Sequence, residues 1–115
     1  MKIINDYTFG YIKINEKSYN TDVIVFWEKV LPNWWRKEGH FLHLEDLNEI
    51  IKEKPEILVI GTGYHGAMTV PQELIKSLEE KGFRIIVKNS SEAVKDYNKF
   101  VLNHHRVAIA LHLTC

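Results

Sequence analysis

Apolar and polar residues partly alternate from Tyr7 to Ile14, and Asn15-Glu16-Lys17 supplies a turn before Ser18-Tyr19, a pattern that predicts an N-terminal β-hairpin. Val23-Ile24-Val25-Phe26 continues as a short, largely buried strand. The segment from Val30 to His40 has neither a helical nor a strand period and reads as an ordered loop. The rhythm then changes. Leu44, Leu47, Ile50 and Ile51 fall on one helical face, and Pro55 stops that helix before a strand over Ile57-Leu58-Val59-Ile60.

Gly61 to Thr69 forms the next loop, and a helix carrying Leu74, Ile75 and Leu78 inward ends near Gly82. Thr69 and Gln72 have capping-box spacing, with Val70 as N-cap and Pro71 at the first helical position as the competing register. Phe83 to Lys88 reads as a strand. Ser90 or Ser91 caps a helix whose stripe is Ala93, Val94, Tyr97, Phe100 and Val101, and Val107 to Leu113 supplies the last strand. Three strands are thus followed by α-β-α-β-α-β with short connections. This order predicts a single-domain three-layer α/β fold over residues 1–115, with a mostly parallel or mixed central sheet flanked by helices and an N-terminal β-hairpin region.

Composition supports one self-sufficient core. At 115 residues and 45% hydrophobic, the chain can bury about two-thirds of its unfolded surface without metal or disulfide staples. Fifteen basic residues balance fifteen acidic ones and are interspersed with them, so no single-signed field draws the chain onto nucleic acid or anionic lipid. Lys13, Lys17, Arg36 and Lys37 are not patterned with aromatic residues as a base-stacking surface requires. The one cysteine, Cys115, cannot bridge within the monomer, and its lone thiol fits a reducing cytoplasm. Neither a signal peptide nor a membrane span is legible.

Gly61-Thr62-Gly63-Tyr64-His65-Gly66 matches G-x-G-x-x-G immediately after a strand, where glycine backbones can approach an anion with a helix N-terminus behind them. For a dinucleotide site the fit is poor. The helix opens late, after Ala67-Met68-Thr69-Val70-Pro71, and the next strand ends at Lys88-Asn89 rather than at a ribose-binding carboxylate. The string is therefore weighed between a small-anion site and a tight turn whose glycines serve backbone shape.

Strand parity places Ala108, Ala110 and His112 on one face at the carboxyl end of the last strand, where open α/β sheets present ligands. A buried, hydrogen-bonded histidine is the commoner outcome there, and a ligand-facing one the sharper alternative. Arg36 follows Trp34 and Trp35, and its planar fork suits carboxylate or phosphate while the indoles shield or stack on it. The same tryptophans could instead cover the sheet, with Arg36 paired to a structural carboxylate, or anchor a partner protein.

Other chemistry fares worse. His40 and His43 fall in a segment that reads as extended, which sends their rings apart, and His104-His105 follows a helix; neither pair has a third metal ligand at an obvious distance. Cys115 and His112 point apart on a strand, no elbow motif supports Thr62 or Thr114 as a nucleophile, and Asp22, Glu28 and Asp46 are carboxylates of the kind any small domain carries. No cofactor is implied, and enzymatic activity stays open.

Taken together, Phe9-Gly10-Tyr11-Ile12, Leu31-Pro32-Asn33-Trp34-Trp35-Arg36 with Gly39-His40, Leu58 to Gly63, and Ala108 to Cys115 make the chain similar to domain-of-unknown-function family 498. That family includes small archaeal and bacterial proteins, an adipogenesis-associated protein of animals and a mitochondrial complex I assembly factor. The resemblance spans nearly the whole chain and implies a single three-layer α/β domain with an unsettled activity, and the mitochondrial relative lends weight to an assembly role. Two functional readings follow. The first is a protein-interaction or assembly module, or a homodimer, built on Trp34 and Trp35; the second is a small-anion or small-ligand site at Arg36, Gly61, Thr62, Gly63 and His112.

Overall fold

A computed structural model describes residues 1–115. The N-terminal region is a three-stranded antiparallel meander, β1 (Ile4–Thr8), β2 (Tyr11–Ile14) and β3 (Lys17–Tyr19). The turn at Asn15-Glu16 joins β2 and β3, while a second turn at Phe9-Gly10 divides what the alternation presented as one arm. Gly10 stands at φ 71°, a conformation that costs glycine little. The alternation blurs here because β1 buries only Ile4 fully, leaving Asn5, Asp6 and Thr8 outside.

The second sheet contains β4 (Val23–Phe26), β5 (Val30–Leu31), β6 (Ile57–Gly61), β7 (Arg84–Lys88) and β8 (Val107–Leu111), in the order β5-β4-β8-β6-β7. β6 runs parallel to both β7 and β8, whereas β4 is antiparallel to β8 and β5, so the sheet is mixed. β4, β6 and β8 are buried along their whole length, as their unbroken apolar runs require when both faces are covered.

Parity sorts those runs into two core layers. Val23, Val25, Val59 and Ile109 face helix α3 (Ser90–Leu102) and the meander. Ile24, Leu58, Ile60, Ala108 and Ala110 face the opposite layer, which contains α1 (Asn48–Glu53), α2 (Gln72–Glu80) and Trp34. The result is a three-layer α/β domain. The fully buried Tyr97 of α3 donates to the carbonyls of Lys2 and Phe26 at 2.8 and 3.2 Å, and Asn98 brackets the backbone of Ile4 with an acceptor at 3.0 Å and a donor at 2.7 Å. These polar contacts fasten the start of the chain, β1 and β4 to the helix.

Several helix ends differ from expectation. α3 is capped by Asn89, whose side chain accepts from the Glu92 amide, while Ser90 is buried and Ser91 makes no cap. At α2 neither capping register forms. Pro71 keeps an extended ψ of 143° just ahead of Gln72, with no side-chain cap. α1 ends at Lys54 in the left-handed region, φ 53°, immediately before Pro55. No helix is long and apolar enough to cross a membrane.

Candidate functional site

Because β4 runs against β8, the residue that precedes β4 arrives at the carboxyl ends of β6 and β8. Asp22 occupies that position. Past Leu111 the ladder continues as His112 N–H donates to the Gly61 carbonyl at 3.1 Å, and the next amide, Leu113 N–H, donates to Asp22 Oδ1 at 2.7 Å. The carboxylate thus terminates the central strand in place of a backbone carbonyl.

Its other oxygen collects two side chains. Arg36 Nη1 donates to Asp22 Oδ2 at 2.8 Å, and His112 Nδ1 lies at 2.8 Å from the same atom. A carboxylate oxygen can only accept, so the imidazole proton sits on Nδ1. The 3.1 Å approach of Arg36 Nη2 to Nδ1 is then a contact between two donors, and Nη2 finds its acceptor in the Gly39 carbonyl at 2.9 Å. Arg36 and His112 expose only 5% and 6% of their side chains, and Asp22 16%. Burial alone would raise the Asp22 carboxyl, but the bonds from His112, the Leu113 amide and Arg36 outweigh it and hold the group below the ordinary aspartate value. Two nitrogens of this cluster, Arg36 Nε and His112 Nε2, are buried with no protein partner. The exposed His40 ring packs edge-on against His112, with centroids 5.6 Å apart. On the other side of β8, burial pushes the Tyr7 phenol up to about 12, and its hydroxyl donates to the Leu113 carbonyl at 2.9 Å.

The tryptophans divide their labour. Trp34 is buried, donates Nε1–H to the Asp46 carbonyl at 2.9 Å, and lies under the Arg36 guanidinium with 4.7 Å between the cation and its ring. Trp35, the next residue, is 83% exposed. The loop that presents it is tied down on both sides: Trp34 N–H donates to the Asp22 carbonyl, Asn33 N–H to Thr21 Oγ1, and Lys37 N–H to Asp46 Oδ1. Trp35 borders two concavities. One, of about 580 Å³, is walled by Leu31, Pro32, Asp46 and Glu49; the other, of about 410 Å³, is walled by Asn20, Asp22, Arg36 and Thr114.

The glycine loop lies beside the cluster but is committed to the protein itself. The amides of Thr62, Tyr64, His65, Gly66, Ala67, Met68 and Thr69 all donate to main-chain oxygens, those of His65 and Ala67 to Cys115, and that of Gly63 donates to Ser90 Oγ. No amide in the run is left for an anion. The glycines answer to close approach: a Cβ on Gly61 would meet Leu111 Cδ1 at 2.4 Å, and one on Gly63, at φ 115°, would meet the Cys115 backbone at 2.5 Å. Ser90, expected as a helix cap, instead bridges this loop to β8 by accepting from Gly63 and donating to the His112 carbonyl.

Among the sequence candidates, Arg36 and His112 come together, Trp34 joins them from below, and Trp35 turns outward. Asp22, treated as one carboxylate among many, is the group that organises them. Of the other histidines, His43 pairs with Glu38 at 2.6 Å and His105 with Glu56 at 3.0 Å, and no group of three or more His, Cys, Asp or Glu side chains gathers to hold a metal ion.

The family model described as "Protein of unknown function (DUF498/DUF598)" matches residues 4–112. A solved structure named MT938 is 28% identical, with a TM-score of 0.79 and complete coverage of both chains. An outer membrane protein from Bartonella henselae is 23% identical with a TM-score of 0.84, over 99% of this chain and 96% of its own. A conserved hypothetical protein from Pyrococcus horikoshii is 24% identical with a TM-score of 0.80, over 97% and 98%.

Proposed function

We propose that this chain, which belongs to the DUF498/DUF598 family of unknown function, works as a protein-interaction or assembly module whose contact point is the Trp34-Trp35-Arg36 loop. The observation that carries this reading is the contrast between adjacent indoles: Trp34 is an anchor in the core, and Trp35 stands 83% exposed on a loop already fixed by backbone hydrogen bonds. A partner that covered Trp35 would bury on the order of 200 Å² of aromatic surface, worth about 5 kcal/mol at 25 cal/mol/Å² before the costs of association. Little of that gain would go to ordering the loop, and aromatic anchors of this kind dominate interface energetics. A free thiol and the absence of a membrane-crossing helix fit the cytoplasm as the working compartment.

The test compares immobilised wild-type protein with Trp35→Ala and with Leu102→Ala, a control at another exposed apolar position, in quantitative capture from extract, alongside sedimentation of each variant alone. The reading predicts a partner, or a self-associated species, that is lost in Trp35→Ala and kept in Leu102→Ala. Identical capture and identical monomeric sedimentation for all three would overturn it.

A second reading draws support from the unpartnered Arg36 Nε and His112 Nε2 and from the cavity beside Arg36. In it Arg36 and His112 would contact a small polar ligand, and Gly61, Thr62 and Gly63 would contribute shape rather than donors. Titration with phosphate and a nucleotide panel, followed by assigned amide NMR, tests it: saturable shifts at Arg36, Gly39 and His112 support the site, and an unchanged spectrum at millimolar ligand removes it for that panel.

A further inference from the structure

The larger concavity beside Trp35 has a charge character that the molecule as a whole lacks. The chain is neutral overall, yet this groove presents Glu45, Asp46 and Glu49 against a single cation, Lys37. Their commitments differ. Asp46 is spent on the protein, accepting from the amides of Lys37 at 3.0 Å and His43 at 2.8 Å. Glu45 faces Lys37 at 3.6 Å, an exposed pair with 62% of each side chain in solvent, which contributes little energy and yields readily to a competing cation. Glu49 is exposed and forms no ion pair. The same concavity is lined by Leu31, Pro32 and the open indole of Trp35.

We propose that this groove receives a basic segment of a partner protein, with an arginine or lysine side chain laid across Trp35 and its head group held by Glu49 and Glu45. This rests on the interaction reading above and specifies the partner's chemistry. Three features converge on a cationic occupant. The indole face attracts a cation through its ring quadrupole, Trp most strongly among the aromatic residues. The aliphatic stem of Arg or Lys suits the apolar wall formed by Leu31 and Pro32. The carboxylates lining the groove neutralise the head group, and an acidic occupant would meet the same groups as repulsion. Trp34 and Arg36 need not move, because Trp34 Nε1 already bonds Asp46 and Arg36 is closed on Asp22 and Gly39.

The experiment uses the full chain and three defined probes: the capped pentapeptide acetyl-Gly-Arg-Gly-Arg-Gly-amide and its lysine and glutamate counterparts, titrated into assigned, isotope-labelled protein. The arginine and lysine peptides are expected to shift the Trp35 indole and the amides of Lys37 and residues 45–49 saturably, with dissociation constants on the order of 1 mM, and the glutamate peptide to leave them unmoved. Raising the salt from about 50 to 300 mM should weaken binding about threefold. Trp35→Ala and Glu45→Gln/Glu49→Gln should each weaken it about two- to fivefold while the remaining spectrum stays native. Equal binding of the glutamate peptide, shifts confined to another surface, or no saturable shift up to about 10 mM would overturn the proposal. The capture experiment separates its failure from that of the broader reading: a Trp35-dependent partner that still binds Glu45→Gln/Glu49→Gln keeps the interface and removes the basic occupant.

Discussion

Removing the charge on Asp22 while keeping its shape is the sharpest test of the cluster at the end of the central strand. In Asp22→Asn the amide oxygen can still accept from Leu113 N–H, but the NH2 group then faces Arg36 Nη1 and His112 Nδ1, both of which are donors. Breaking a fully buried ion pair costs about 3–5 kcal/mol, and an exposed one contributes about 0–1 kcal/mol. Asp22 retains 16% exposure and Arg36 5%, which places the expected loss between those limits and nearer the buried one, at about 2–4 kcal/mol. With a urea slope of about 2 kcal/mol/M, the unfolding midpoint falls by about 1–2 M. Arg36→Met keeps the aliphatic stem over Trp34 and removes the fork. If the pair acts as a unit, the double variant is less destabilised than the sum of the single ones by at least about 1 kcal/mol. Additivity within about 0.5 kcal/mol, or a single-variant loss below that figure, would refute the assignment of Asp22 as the organising group.

The same carboxylate sets a pH dependence. Its folded pKa is lowered, so the unfolded chain binds the extra proton first, and the stability Asp22 contributes is complete above about pH 4 and lost as acidification passes through the folded value. The gap between the urea midpoints of wild type and Asp22→Asn should therefore narrow as pH falls from 6 to 3; a constant gap contradicts this. Trp34→Ala should cost about 3–5 kcal/mol as a core deletion, whereas Trp35→Ala should change stability by less than about 0.5 kcal/mol, both read from denaturant curves. Gly61→Ala should lose about 1–3 kcal/mol or more by overpacking against Leu111 and Ser90, while Gly82→Ala, at φ 97° with open space around it, pays only backbone strain of about 1–2 kcal/mol. A loss below about 1 kcal/mol in Gly61→Ala would show that close approach is not what Gly61 serves. Tyr97→Phe removes the donor to two carbonyls and should cost about 1–3 kcal/mol.

The strands β6 and β8 and the helices α2 and α3 were legible because burial on both faces of a strand, or along one stripe of a helix, writes itself directly as a run or a period. β1 was less so, since a strand with one fully buried side chain leaves almost no pattern. At α3 the serines obscured a better signal, an asparagine three residues before Glu92, because any hydroxyl near a helix start resembles a cap. Arg36 and His112 could be singled out by the incongruity of a charge beside two indoles and an imidazole ending an apolar run. Asp22 offered no such contrast: its role depends on β4 and β8 meeting antiparallel, a pairing that no local stretch encodes. Gly61-Thr62-Gly63 erred in the other direction, a motif whose string is suggestive and whose amides are all occupied.

The strand at the middle of the five-stranded sheet is the last one in the chain. β6 and β7 can meet early through the short crossover of α2, but β4 has no central neighbour until β8 arrives, because Val23 pairs with Leu111 and Phe26 with Ala108. Folding therefore waits on contacts between opposite ends of the sequence, which places refolding in the slow range of about milliseconds to seconds for such topologies. During that interval Val23-Ile24-Val25-Phe26, wholly apolar and without its main partner, is an open edge to which another chain can add. The same central placement that makes β8 the keystone of the native sheet makes its docking the step on which escape from aggregation depends.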